Sequence, residues 1–129
     1  MDRSPPQNQD IGKSQKPLRV LLVEDNIDAL ESMVEMTGFL GHQPHGCGSA
    51  EDALLLLQNQ VFDAMITDIG LPGMSGLALA EMARAIQPLD VTVASGFARG
   101  PEVPRNVRWL MKPLGIEEYA ALLTESAQR

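Results

Sequence analysis

Five side chains in this sequence are suited to phosphate chemistry: Glu24, Asp25, Asp68, Ser95 and Lys112. A carboxylate such as Asp68 can attack phosphorus and form an acyl phosphate. Carboxylates held close together repel one another unless a cation neutralises them, and oxygen donors of this kind suit Mg²⁺. Lysine offers a point charge for a phosphoryl oxygen, and a serine hydroxyl offers a hydrogen-bond donor. Such groups stabilise charge on the transferring phosphoryl group, which is where most of the catalytic work of this reaction lies. Each taken singly has a plainer reading. Glu24-Asp25 can be a loop beside a helix cap, Asp68 can open a turn, Ser95-Gly96 can be a loop, and Lys112-Pro113 can stop a strand. Their positions relative to the folded elements decide between these readings.

Strand and helix signals alternate along the chain. Leu18 to Val23 is a short apolar run of the type found in buried parallel strands. Asn26 is placed to cap a helix reaching about Phe39, with Ile27, Leu30 and Val34 on its inner face and Gly38 and Gly41 closing it. Gln43 to Gly48 gives a weak strand signal, and Ser49 caps a helix to about Gln58 whose leucines at 54–57 should face the sheet and neighbouring helices. Phe62 to Thr67 reads as a third strand, and Ser75 caps a helix to about Ile86. Val91 to Ala94 and Val107 to Met111 read as the fourth and fifth strands, and Ile116 to Ala127 as a closing helix with Tyr119, Leu122 and Leu123 inward. This alternation predicts right-handed crossovers and a parallel sheet covered on both faces. Ligands of such sheets bind at the carboxyl ends of the strands. Glu24-Asp25, Asp68, Ser95 and Lys112 fall at or just after four of those ends, so the order of the elements brings them to one edge.

The pieces VLLVEDN (20–26), MITDIGLPGMSG (65–76), VASG (93–96) and WLMKPL (109–114) together resemble the receiver domain of two-component response regulators, over residues 18–129. The resemblance implies a flavodoxin-like α/β fold, a doubly wound five-stranded parallel sheet of order 2-1-3-4-5. It implies that Asp68 takes a phosphoryl group from a sensor histidine kinase or a histidine phosphotransfer protein. Mg²⁺ would be held by Asp25, Asp68 and the Gly70 carbonyl with help from Glu24, while Lys112 and Ser95 would contact the phosphoryl group. Phosphorylation would switch the 95–112 face for partner binding or phosphorelay. The module would signal rather than turn over substrate, either as a stand-alone regulator or as the receiver of a hybrid kinase. The Lys112-Pro113 bond is often cis in this family.

This sequence also departs from the pattern. Only sixteen residues, 96–111, separate Ser95 from Lys112, and they include Gly100, Pro101 and Pro104. The family's fourth helix is therefore expected to be short or irregular. Trp109 occupies the position of the family's aromatic switch, where it either swings or packs on the fifth strand. Phe97 either shields an acyl phosphate or packs locally, and local packing is the expectation.

The chain has 129 residues and a net charge of −7, with seven basic against fifteen acidic residues in 18–129, a balance of −8 there. That balance disfavours binding to nucleic acid and to anionic membranes. No apolar run approaches the ~20 residues of a membrane span. The single cysteine, Cys47, excludes an internal disulfide and fits a reducing compartment, so a cytoplasmic location is expected. Cys47 reads as a small core hydrophobe. Residues 1–17, with three prolines and one apolar residue after Met1, read as a disordered tail. His42 and His45 point to opposite faces of a strand and form no metal pair. A weak homodimer is compatible with such a module. Two other functions draw on similar residues. A haloacid-dehalogenase-type aspartyl-phosphate phosphatase would carry a second Asp two residues after the nucleophile, where this chain has Gly70. A phosphorylation-independent binding scaffold would not need all five site residues.

Overall fold

The computed structural model describes residues 16–128. The tail expected over 1–17 lies outside the described residues except for Lys16 and Pro17. Nine elements follow in the order β1 (Arg19–Val23), α1 (Ile27–Phe39), β2 (Gln43–Cys47), α2 (Ala50–Asn59), β3 (Ala64–Asp68), α3 (Gly76–Ile86), β4 (Asp90–Ser95), β5 (Val107–Met111) and α4 (Ile116–Ala127). The strands form one sheet of order β2-β1-β3-β4-β5, and every pairing is parallel. This is the doubly wound topology expected from the sequence, in which β1 and β3 run side by side and their carboxyl ends share one edge.

Strand periodicity divides the core in two. Leu21 and Val23 of β1 join Met65, Val91 and Val93 against Ala53, Leu57, Leu79 and Ala83 of α2 and α3. Val20 and Leu22 point the other way and join Ile66 and Leu110 against Met33, Tyr119 and Leu123 of α1 and α4. The second layer contains a polar tie. The Tyr119 hydroxyl and Thr37 Oγ1 lie 2.5 Å apart, and both residues are fully buried. Burial pushes the Tyr119 phenol up to about 12, against a smaller opposing effect of the Thr37 hydrogen bond.

The helices start where capping chemistry dictates. Asn26 Oδ1 accepts from the Ala29 amide at 2.9 Å, Ser49 Oγ from Asp52 at 3.1 Å, and Ser75 Oγ from Ala78 at 3.1 Å. The turn after α1 is made at Gly41, whose φ of +90° suits a residue without a Cβ; Gly38 stays within the helix.

Three placements differ from the sequence reading. Ile27 is 73% exposed, and the buried stripe of α1 is centred instead on Met33 and Thr37, flanked by half-buried Leu30 and Val34. At about 100° per residue, Ile27 lies at the edge of that stripe, in the first turn. Leu55 is 58% exposed while its three leucine neighbours are at least half-buried, because it projects from α2 opposite Ala53 and Leu57. Phe97 is 79% exposed rather than packed. Between β4 and β5, residues 96–106 contain turns, bends and irregular backbone but no helix, the irregular outcome foreseen for the fourth helix. No helix of the described residues is long and apolar enough to cross a membrane.

Candidate functional site

Four of the five strand ends at the carboxyl edge, those of β1, β3, β4 and β5, each deliver a part of the site. At the end of β1, the Glu24 amide donates to Cys47 O at 3.1 Å, which extends the ladder with β2 and turns the Glu24 side chain into the protein. Glu24 is 3% exposed, an unusual state for a carboxylate unless it has partners. It has two. Oε2 accepts from the Asn26 amide at 3.1 Å, and Oε1 meets Lys112 Nζ at 3.2 Å. Asp25 is exposed beside it.

At the end of β3, Asp68 Oδ1 lies 2.5 Å from Lys112 Nζ, and Oδ2 accepts from the Gly70 amide at 3.1 Å. The following loop returns so closely that α3 begins against the Asp68 main chain. The Gly76 amide donates to Ile69 O at 2.8 Å, and a Cβ at Gly76 would stand 2.3 Å from Asp68 O. Only glycine fits there.

Lys112 follows β5 and is joined to Pro113 by a cis peptide bond. Its amide donates to Ser95 O at 2.8 Å, which ties the ends of β4 and β5 together. Burial acts to lower the Lys112 pKa, but hydrogen bonds and charge from Asp68 and Glu24 outweigh it and the net shift is upward. The ammonium therefore stays charged between the two carboxylates.

Glu24, Asp25 and Asp68 each offer a carboxylate oxygen, and these atoms lie within 4.8 Å of one another. One ammonium among three carboxylates leaves the cluster acidic. A hard divalent cation suits such an oxygen donor set, so the residues present fit Mg²⁺. Ser95 is 1% exposed at the end of β4. Its Oγ accepts from the Phe97 amide at 3.0 Å. The structure thus gathers Glu24, Asp25, Asp68 and Lys112 directly, with Ser95 on the adjacent strand end. At Gly70 the group that meets Asp68 is the amide.

Trp109 is half-buried and packed against the α2–α3 side of the core, and its indole N–H donates to Phe97 O at 2.8 Å. The two histidines are separate, as expected. His42 Nδ1 accepts from the Leu18 amide at 2.9 Å, whereas His45 stands edge-on to Phe62 with ring centroids 5.4 Å apart. Burial raises the Cys47 thiol to about 11, which fits a packing role. The sequence reading gives Asn26 only as a helix cap, not as a donor to Glu24, and does not single out Gly76. The Gly76 signal was present in the SG step that ends the β3 motif.

Comparison with known proteins agrees with this geometry. Residues 20–118 match the response regulator receiver domain. The chain belongs to the response regulator receiver family. The receiver protein CpdR of Brucella abortus is 30% identical over 78% of this chain and 88% of its own length. The virulence sensor protein BvgS of Bordetella pertussis is 30% identical over 91% of this chain, which spans only 10% of that protein. Among solved structures, a CheY-like receiver domain from Methylobacillus flagellatus has 31% identity and a TM-score of 0.78, covering 86% of this chain and 99% of that one. The receiver domain of the hybrid histidine kinase CckA has 25% identity and a TM-score of 0.75, covering 85% and 99%. As a receiver, the chain is a signalling module of two-component systems.

Proposed function

We propose that this receiver accepts a phosphoryl group on Asp68 from a phosphohistidine of a sensor histidine kinase or histidine phosphotransfer protein. The observation that carries this reading is the setting of the Asp68 carboxylate. Lys112 Nζ binds one oxygen and the Gly70 amide the other, beside two further acids. An Asp68 oxygen attacks phosphorus, the new O–P bond forms an acyl phosphate, and the P–N bond breaks with its electron pair left on the imidazole nitrogen. Asp25, Asp68 and the Gly70 carbonyl, with Glu24 behind them, would hold Mg²⁺. When bound, that ion neutralises the acids and the charge on the phosphoryl oxygens.

Lys112 has a defined task. Its ammonium already touches Asp68, so a short movement carries it to an oxygen of the incoming group. Glu24 keeps hold of the same ammonium through Oε1 and limits where it can go. Ser95 Oγ accepts from the Phe97 amide, so its own proton remains available for another phosphoryl oxygen. Closing these contacts would pull the start of the 95–112 face inward and change what it offers to a partner. We place this exchange in the cytoplasm.

The test is intact mass after incubation with Mg²⁺ and acetyl phosphate. One phosphoryl group should be gained by the wild type and by neither the Asp68→Asn variant nor a sample with chelator. Retention of the gain in Asp68→Asn would overturn the assignment. A phosphatase of the haloacid-dehalogenase type would instead turn over a small phosphate ester continuously, and Gly70 leaves that reaction without its usual general acid.

A further inference from the structure

The connector between β4 and β5 holds its shape without a helix. Its two short backbone turns run from the Val103 amide to Gly100 O at 3.3 Å and from the Val107 amide to Pro104 O at 3.1 Å. Neither reaches back to the first residues of the connector. Arg99 does. Its guanidinium donates from Nη1 to Val107 O and from Nη2 to Pro104 O, both at 2.6 Å. A planar guanidinium offers its donors in a fixed fork, so two bonds set both the distance and the angle between the segments they join.

Two residues earlier, Phe97 is held at both polar atoms of its main chain. Its amide donates to Ser95 Oγ, and its carbonyl accepts from Trp109 Nε1. Residues 97 and 99 are thus tied to the first and third residues of β5, Val107 and Trp109, by side chain–main chain bonds on either side of Ala98. In a helix, internal hydrogen bonds would keep this stretch in place. Here three side-chain donors do so.

We propose that Arg99 is a positioning residue for Ser95. By clamping the connector onto the start of β5, it fixes the Phe97 peptide, and through the Phe97 amide it fixes the Ser95 hydroxyl at the edge of the acidic site. The mechanistic part rests on Asp68 being the phosphoacceptor. A purely structural role predicts something different. Only Val103 of the 96–106 connector is buried, at 6% exposure, so release of the clamp should loosen the connector without unfolding the sheet.

The experiment compares wild type with Arg99→Ala and Arg99→Lys by amide hydrogen exchange and by the emission of Trp109, the only tryptophan. In Arg99→Ala, exchange at the Phe97 amide should be about tenfold faster, and Trp109 emission should shift to the red, while exchange of the β1 and β3 amides stays as in wild type. Arg99→Lys keeps the charge and the stem but loses the fork, so it should fail to restore Phe97 protection; it also carries the test if the alanine variant does not fold. After loading with acetyl phosphate and Mg²⁺, the acyl phosphate should decay about threefold faster in both variants. Unchanged Phe97 exchange and Trp109 emission in Arg99→Ala would overturn the clamp. Faster exchange with an unchanged decay rate would overturn the link to Ser95. If wild type itself gains no phosphoryl group, the phosphoacceptor reading fails, and the exchange and emission data still decide the clamp.

Discussion

Replacing Gly76 with alanine adds one methyl group at the junction between the phosphoacceptor strand and α3. In the structure that carbon would stand 2.3 Å from Asp68 O and 2.9 Å from Ile69 Cα. Both neighbours are main chain, so neither can rotate away. Ordinary contact needs about 3.3 Å between carbon and carbonyl oxygen, so the start of α3 must retreat by about 1 Å. That retreat stretches the bond from the Gly76 amide to Ile69 O, now 2.8 Å. Overpacking of this kind costs about 1–3 kcal/mol, and a lost backbone bond about 0.5–1.5 kcal/mol. Against this, alanine in a helix gains about 0.5–1 kcal/mol over glycine. The balance is destabilising by about 0.5–4 kcal/mol. Urea denaturation followed by circular dichroism reads it as a lower midpoint with an unchanged slope. The same displacement moves the Asp68 main chain, so phosphorylation by acetyl phosphate should slow even at urea-free equilibrium. A Gly76→Ala protein as stable as wild type or more so would refute the argument, because the clash would then cost no more than the helix gain.

Two further predictions concern the frame. Gln87 donates to Leu57 O and Gln60 O at 2.8 and 2.9 Å and accepts from the Phe62 amide at 2.8 Å, joining the ends of α2 and α3 to the approach of β3. Gln87→Ala should lower stability in urea by about 2–3 kcal/mol; a loss below about 0.5 kcal/mol would show that water replaces all three bonds. Tyr119, the only tyrosine, has a folded-state pKa of about 12, above its ordinary value of 10.0. A raised folded pKa means that this contribution is complete below pH ~10 and is lost as pH rises toward the folded value. Absorbance at the phenolate band should therefore stay low near pH ~10.5 and rise together with unfolding. Half-titration near pH ~10 with the fold intact would contradict the buried Thr37–Tyr119 tie.

Much of this receiver is visible in local sequence. The β1 and β3 runs are apolar throughout because both faces of the sheet are covered, and that pattern survives without knowledge of partners. Asn26, Ser49 and Ser75 mark helix starts because capping is a contact within a few residues. The order of alternating elements then places Asp25, Asp68, Ser95 and Lys112 at strand ends on one edge. Those assignments needed only short-range chemistry and a topological rule.

What the sequence could not settle depends on which neighbour covers a given surface. Ile27, Leu55 and Phe97 are apolar, yet each points where no other element of the described residues packs, and hydrophobicity alone carries no information about that. Glu24 and Asp25 are adjacent acids, but only the fold buries the first against Lys112 and Asn26 and leaves the second in solvent. Gly76 matters because two segments approach more closely than a Cβ allows, which is a distance between elements. The connector after Ser95 could be read as lacking a regular helix, since Gly100, Pro101 and Pro104 interrupt it. That Arg99 and Trp109 would supply its missing hydrogen bonds could not be read there, because their acceptors are main-chain carbonyls, identical at every residue and distinguished only by where the fold puts them.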